Sequence, residues 1–484
     1  MNLTVSQLPG VDVLVLGSGF AGLRAAWGAL ERSQGAKVAV AAPMRGPSGS
    51  SFANINDRLG VQVPMGDAER TAFHREAMDL GTPGFVRGDL VAILADEAGD
   101  RFRELQALGL RFISDQDGGL RRFGSCFSPA STRAAVFTGL AAAYKAVFDH
   151  VSSRGGRFLP GMTAQALVQD PTDGRVLGAL LEDRSGRPWA QPARSVVAAM
   201  GGPAPLFRYN QAGRGGTGYG HGMLSASGAD MANTGYLQWM WARPRDRSFW
   251  PIWSLLAEDA AALDAEGQCV AVPGSVAEAA VLRSTHCPFG YGFPDAALDR
   301  FLLDQADALG VASIRTQGKG GRKERFQVAL MAHAGNGGAV IDAHARTSVD
   351  GLYAVGECAT GMHGANRMGG AMVLSCLVFG ARAGWDAVEP GGSRGLGGRG
   401  FAAALARTMQ GCYRDTRERN RTRRWLADLL QRKGLPRHGC ECGDLASLLA
   451  GKLRRAVDSG AAHMLRTALC FARGRPRDTP TGTD

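Results

Sequence analysis

The residues whose chemistry is easiest to read are glycines. Gly17, Ser18, Gly19, Phe20, Ala21 and Gly22 make a G-x-G-x-x-G run. Its spacing gives each glycine a separate role, since Gly17 permits a tight turn, Gly19 lets the main chain approach a pyrophosphate, and Gly22 lets a helix pack closely on a strand. A helix starting there offers free N–H groups to the anion. The acidic residue that would accept a ribose hydroxyl of NAD is missing from the end of the following strand, where Ala41, Ala42 and Pro43 stand. That weakens an NAD reading. The nine cysteines are odd in number and scattered, which points to reduced thiols. Cys440 and Cys442, with His438 and Cys412 nearby, lack the C-x-x-C spacing of a metal site and read as loop residues.

The elements around the glycines suit such a turn. Val11 to Leu16 is an aliphatic run, Leu23 to Leu30 is helical, and Lys37 to Ala42 is a second apolar run at the distance a βαβ unit requires. Strands are also expected over Val176–Glu182 and Ser195–Met200, the latter ending in Gly201 and Gly202, and again over Gly338–Asp342 and Gly351–Ala354, with a helix from Gly370 to Asp386. Between them, from Asn233 to Arg325, the pattern is irregular and rich in tryptophan. The expected fold is α/β: a Rossmann-like dinucleotide-binding domain over 1–232 and 329–388, interrupted by an α+β capping domain over 233–328, then a helical domain over 401–484. Gln317–Lys323 and Glu389–Gly400 read as glycine-rich linkers. In the tail, Trp425, Leu426, Leu429 and Leu430 share one helix face, as do Leu445, Leu448, Leu449 and Leu453. Arg414, Arg417, Arg419, Arg421, Arg423 and Arg424 precede or flank the first face. They read as a solvated surface or, alternatively, a strip on which a partner docks.

The chain has 484 residues, 45% hydrophobic and 20% charged, which excludes a disordered or fibrous protein. Its 55 basic and 44 acidic residues leave a net charge of +11. No arginine-aromatic motif of a nucleic-acid module accompanies that charge, so nucleic acid is not an expected partner. There is no apolar run of transmembrane length, and the first strand begins too early for a cleaved secretion signal, so a soluble cytoplasmic protein is expected.

Residues Gly351 to Gly384 read GLYAVGECATGMHGANRMGGAMVLSCLVFGARAG. This stretch closely resembles the C-terminal FAD signature of the succinate dehydrogenase, fumarate reductase and L-aspartate oxidase flavoprotein family. Ala332 to Gly338, the serines Ser48, Ser50 and Ser51, the strand around Ala164, and Thr217-Gly218-Tyr219-Gly220 match that family in order. The resemblance covers most of the chain; the cap and tail match only in length and character. It implies non-covalent FAD. The pyrophosphate end would be held by Gly17, Ser18, Gly19, Ala21 and Gly22, and other contacts would come from Ala42, Pro43, Ser50, Ser51 and Ala53, then from Ala164 and Gly201. Glu357, after Gly356, would accept FAD hydroxyls, and the backbone at Met372 and Val373 would sit by the isoalloxazine at a helix start, where N–H groups favour negative charge. His333 and Arg367 match the family residues that hold a substrate carboxylate, as catalytic residues, a guanidinium offering two parallel donors and an imidazole one more.

Departures from the family pattern are equally informative. Met240 stands where another substrate histidine belongs, and Ala277, followed by Glu278, where the arginine proton donor of fumarate reduction belongs; in another register Arg283 or His286 would supply that proton. No histidine lies near Ser50 to carry flavin covalently. Trp239, Trp241, Trp250, Trp253 and Phe249 suggest either an apolar substrate pocket or ordinary cap core. The resemblance therefore implies an FAD-dependent oxidoreductase moving a hydride between flavin and a carbon of a small carboxylate-bearing substrate, an amino acid or organic acid other than fumarate or succinate. Two alternatives stay open: a flavoprotein acting on a larger or protein-linked substrate and passing electrons to a partner protein, and a flavin scaffold without turnover.

Overall fold

A strand that is apolar on both faces belongs in the middle of a covered parallel sheet, and Val11–Leu16 lies there. In the computed structural model, which describes residues 5–317, 323–389, 398–437 and 442–476, it runs parallel to Val38–Ala42 on one side and Pro188–Ala198 on the other. Arg157–Pro160 extends the parallel part beyond Val38–Ala42, and Leu352–Ala354 pairs with the end of Pro188–Ala198. Val176–Glu182 and Thr163–Gln169 continue the sheet antiparallel. The helix Phe20–Arg32 covers it and packs against Ala371–Ala387 through glycines. A Cβ on Gly28 would come 2.7 Å from the Ala381 carbonyl oxygen, and one on Gly384 would come 2.1 Å from that of Ala25. Small residues thus bring together segments more than 300 positions apart in sequence.

Gly17 and Gly22 are required by this packing. Gly17 has φ +118, and its Cβ would lie 2.3 Å from the Ala199 oxygen; a Cβ on Gly22 would lie 2.0 Å from the Gly17 oxygen. The turn and the close helix approach expected from the motif are both present.

The inserted segment forms a five-stranded antiparallel sheet in the order Leu237–Ala242, Lys323–Gly335, Val311–Gln317, Ala261–Leu263, Cys269–Val270. Its long strand continues past residue 328 to Gly335, so His333 stands on the cap's sheet. The stretch read as a linker at Gln317–Lys323 connects two paired strands, with Gln317 opposite Lys323; residues 318–322 lie outside the described residues. Trp239, Trp241 and Trp250 are buried core, not pocket lining: the Trp241 indole N–H donates to Asp299 at 2.9 Å and that of Trp239 to the Tyr291 hydroxyl at 3.2 Å. Trp253 packs on the same core, whereas Phe249 is partly exposed against the Trp253 ring.

In the tail, Leu426, Leu430, Leu445 and Leu449 are buried in the core that the cap also fills, with Trp425, Leu429 and Leu453 at its edge. Leu448 departs from the expected face and is exposed. The arginine run is neither wholly solvated nor a free docking strip. Arg419 binds Asp458 at 2.8 Å and Glu182 at 2.9 Å, Arg414 approaches Glu182 at 3.5 Å, and Arg423 donates to the Thr217 carbonyl at 2.9 Å. The Glu182 contacts fasten the tail to the sheet, the Thr217 contact ties it to a loop of the FAD-binding domain, and Asp458 links two tail helices. Of the second linker, 390–397 lie outside the described residues, and a helix has already begun by Gly398. His438 and Cys440 also lie outside them, and no group of three or more His, Cys, Asp or Glu among the described residues is placed to hold a metal.

The tail helix Ser459–Gly474 carries buried His463, whose Nε2–H donates to the Gln165 carbonyl at 2.8 Å. Burial pushes this imidazole down to about 4 from an ordinary 6.5. Between those values the unfolded chain binds a proton that the folded chain does not, so stability falls as pH is lowered through that window. The expected loss from this residue by pH 5 is about 2 kcal/mol. Urea midpoints at pH 7 and 5 check it: His463→Gln should show a shallower acid decline than the parent chain, and equal declines would contradict it.

Candidate active site

Both domains wall one long cavity. Of the residues matched to the flavoprotein signature, Gly17, Ser18, Gly19 and Ala21 line it at one end with Ala42 and Pro43, beside Ser50, Ser51, Ala164 and Gly201. Gly356, Glu357, Met372 and Val373 line it too, as do His333 and Arg367. Gly22 and Ala53 do not. Gly22 serves the packing beneath, and Ala53 caps the short helix Gly49–Phe52.

At the glycine end, the Phe20–Arg32 helix starts at Gly19, and the Phe20 N–H donates to Ser51 Oγ at 3.3 Å. Gly19 differs from its two neighbours in the motif. Its φ is −71, and an added Cβ would meet only Ser51 Oγ at 3.7 Å, so nothing in the protein's own packing demands glycine there. The space its missing side chain leaves opens onto the cavity at a helix N-terminus, as a bound pyrophosphate requires. Also lining the cavity, Glu357 Oε2 accepts the Gly335 N–H at 3.2 Å, and a Cβ on Gly202 would lie 2.2 Å from that oxygen. Burial raises the Glu357 carboxyl, opposed by N–H donors and the charge of Arg367. A hydroxyl-rich ligand suits such a carboxylate. The cradle at Gly19, the acceptor at Glu357 and the first-turn N–H groups of the Ala371–Ala387 helix, which have no intrahelical partners, together fit FAD.

The other end is built for an anion. Arg367, 7% exposed, donates through Nη2 to Gln238 Oε1 at 2.6 Å and through Nε to Asn336 Oδ1 at 3.1 Å. Both partners are neutral amides that aim the guanidinium without cancelling its charge. Among the described residues no carboxylate lies in ion-pair contact with it. Burial pushes it down to about 10, with Glu357 pulling the other way, so it stays protonated at neutral pH.

His333 reaches the cavity through an irregularity. In the pairing of its strand with Leu237–Ala242, Gln238 faces Ala334 and Trp239 faces Ala332, so His333 is the extra, unpaired residue of a β-bulge. A bulge re-aims a side chain beside a site, and His333 Nδ1 has no hydrogen-bond partner among the described residues. Burial and the neighbouring Arg367 push the imidazole down to about 4, so it is neutral at pH 7.

The candidate proton donors of the cap do not reach this cavity. Arg283 is fully buried and locked bidentately onto Asp299 at 2.8 and 3.0 Å. His286 is buried and stacked on Phe127, its pKa pushed down to about 3 by burial and Arg283. Ala277 lies in the surface helix Gly274–Ala279, and Met240 pairs with Met331 away from the cavity lining. Gln238 and Asn336, which position Arg367, carried a weak signal: each is a lone amide in an otherwise apolar or glycine-rich segment beside residues of the family pattern.

A family model described as FAD binding domain matches residues 12–253 and 270–373. The chain is 29% identical over 395 residues to an L-aspartate oxidase of Streptomyces coelicolor, covering 77% of this chain and 67% of that protein. It is 28% identical over 423 residues to a fumarate reductase (CoM/CoB) protein of Methanothermobacter marburgensis, covering 79% and 73%. In fold it is similar to E. coli quinol fumarate reductase FrdA, with a TM-score of 0.72 at 19% identity over 97% of this chain and 89% of that one.

Proposed function

This chain belongs to the FAD-binding-domain family of flavoproteins that includes L-aspartate oxidases and fumarate reductases, and we propose that it oxidises or reduces a small carboxylate-bearing acid at a carbon held in front of the flavin. It is an FAD-dependent oxidoreductase; the substrate class is the proposal. The carrying observation is Arg367, a buried cation held by two neutral amides on the cavity wall with no carboxylate in ion-pair contact among the described residues.

Bound FAD supplies hydride acceptance or donation. The chain's own residues do the rest. Arg367 would clamp the substrate carboxylate through a charge-assisted pair. Neutral His333 would add one hydrogen bond and fix the orientation of the acid. The first-turn N–H groups at Met372 and Val373 would favour negative charge at the ring they face. Glu357 would hold hydroxyls, and the G-x-G-x-x-G turn would hold the pyrophosphate. No histidine stands by Ser50, so FAD is held without a covalent bond and should leave with the supernatant on acid precipitation.

The substrate is an amino or organic acid other than fumarate or succinate. Arg283 is locked, Ala277 is on the surface, and Met240 stands where a clamp histidine belongs, so none of the positions considered for the proton donor of alkene reduction lines the cavity, and His333, which does, is held neutral and is assigned to the carboxylate. General acid catalysis contributes about 10²–10⁴-fold. Fumarate reduction by the purified protein with reduced dye is therefore expected to run at least about a hundredfold below an ordinary enzymatic rate; turnover at tens per second would contradict this. Anaerobic mixing with a panel of amino and hydroxy acids, followed as loss of the oxidised flavin absorbance, finds the substrate.

An electron-accepting partner protein is the second reading. The arginine strip that would have docked it is engaged at Arg414, Arg419 and Arg423 within the chain, so the acceptor is first sought among small oxidants. A cytoplasmic location is part of this reading; Cys126, Cys269, Cys287, Cys358, Cys376, Cys412 and Cys470 are in no disulfide, and among the described residues no helix is long and apolar enough to cross a membrane.

A further inference from the structure

Two cysteines from different domains meet beside the site. Cys126 stands in the Ser125–Ser128 turn of the FAD-binding domain, and its carbonyl accepts the Gly369 N–H at 3.1 Å, two residues from Arg367. Cys287 stands on the cap. Its main-chain N–H donates to Cys126 Sγ at 3.3 Å, which brings the two cysteines together across the domain boundary. The cap segment around Cys287 crosses onto the other domain at several points. The Phe127 N–H donates to the Thr285 carbonyl at 3.3 Å, Phe127 stacks on His286 with ring centres 4.2 Å apart, and Tyr291 and Asn366 exchange hydrogen bonds of 2.8 Å in both directions. Arg283 donates to the Cys287 carbonyl at 3.2 Å, which places a buried cation against the pair.

We propose that Cys126 and Cys287 are a reversible redox site, a disulfide between them tying the cap to the FAD-binding domain next to Arg367. The proposal does not depend on which acid the enzyme uses. The oxidant is a hydroperoxide. The Cys126 thiolate attacks one peroxide oxygen, the O–O bond breaks and hydroxide leaves as water, giving a sulfenic acid. The Cys287 sulfur then attacks Cys126 Sγ, the S–O bond breaks, and a second water leaves with the thiol proton. Two thiols and one hydrogen peroxide become one disulfide and two waters. Cys126 is suited to the first step: hydrogen bonding from Cys287, with Arg283 further along, brings it down to about 7, whereas Cys287 is held well above the ordinary thiol range. His333 comes from the cap's sheet and Arg367 from the other domain, so the crosslink also fixes the two sides of the cavity relative to each other.

The test uses the purified FAD-loaded full chain treated with one to two equivalents of hydrogen peroxide, quenched with an alkylating agent and mapped by mass spectrometry without reduction. The expected result is loss of two hydrogens from the intact mass and a crosslinked peptide pair containing Cys126 and Cys287, reversed by dithiothreitol. Cys287→Ser should stop at a Cys126 sulfenic acid that dimedone traps, and Cys126→Ser should give neither crosslink nor adduct at Cys287. Exposed Cys269 is the internal control for an ordinary surface thiol. The proposal is overturned if Cys126 stays alkylatable while Cys269 oxidises, if Cys126 passes to sulfinic acid with Cys287 free, or if either pairs with another cysteine. The parent chain alone decides among these outcomes, whatever the variants do to folding.

Discussion

Replacing Arg367 by alanine is expected to lower kcat/KM for the carboxylate substrate by about 2–5 kcal/mol of transition-state binding, or roughly 30- to 5,000-fold. The loss is large because the guanidinium is nearly buried and its protein contacts are two amide oxygens. The substrate carboxylate is then the group that completes its charge pairing, and removing the arginine strands that carboxylate in a desolvated site. Arg367→Lys should also be impaired, since an ammonium cannot donate in the planar fork that Gln238, Asn336 and a carboxylate together need. Flavin content should change little in both variants, because the proposed FAD contacts lie at the glycine turn, Glu357 and the Met372–Val373 backbone. Turnover and bound flavin measured side by side check the point. Near-normal turnover in Arg367→Ala would remove the clamp.

Gly19→Val is expected to separate cofactor binding from folding. At Gly17 and Gly22 any side chain collides with main-chain oxygen, so substitutions there would test packing, not the ligand. At Gly19 the backbone is ordinary and the nearest atom to an added Cβ is 3.7 Å away, so the variant should fold with a circular dichroism spectrum like that of the flavin-stripped parent. The valine methyls would occupy the place proposed for the pyrophosphate. Displacing it from the helix N-terminus should weaken FAD by about 1.4 kcal/mol or more, at least tenfold. Flavin absorbance per chain after gel filtration reads it. Full flavin content in this variant would contradict the proposed position of the cofactor.

The strands of the main sheet were legible because burial on both faces leaves near-continuous aliphatic runs: parallel Val11–Leu16 and antiparallel Val176–Glu182 have the expected bounds, and Val38–Ala42 differs by one residue. What local pattern cannot show is the identity of a distant partner. The tail arginines look like a solvated surface until Glu182 is seen to lie beside Arg419, 237 positions away. His333 was legible as a family residue, but the bulge that makes it the odd residue between Ala332 and Ala334 depends on its pairing with Leu237–Ala242, nearly a hundred positions earlier. The tryptophans illustrate the reverse error. Aromatic clustering looks the same in sequence for a pocket and for a core, and Asp299 and Tyr291, which satisfy the indoles of Trp241 and Trp239, lie more than fifty residues on. Arg283 was a reasonable proton donor by residue type and is disqualified only by its bidentate hold on Asp299.

The central claim is that a cavity built for FAD presents Arg367 to a substrate carboxylate, and the most direct measurement is an anaerobic titration of the flavin absorbance with the acid that best bleaches it and, in parallel, with the matching carboxamide. The amide keeps size, shape and reacting carbon and loses only the charge. The acid is expected to bleach the oxidised band, and the carboxamide to leave it unchanged at the same concentrations. Equal bleaching by acid and amide would contradict the claim, as would a purified chain whose bound FAD responds to no carboxylate in the panel.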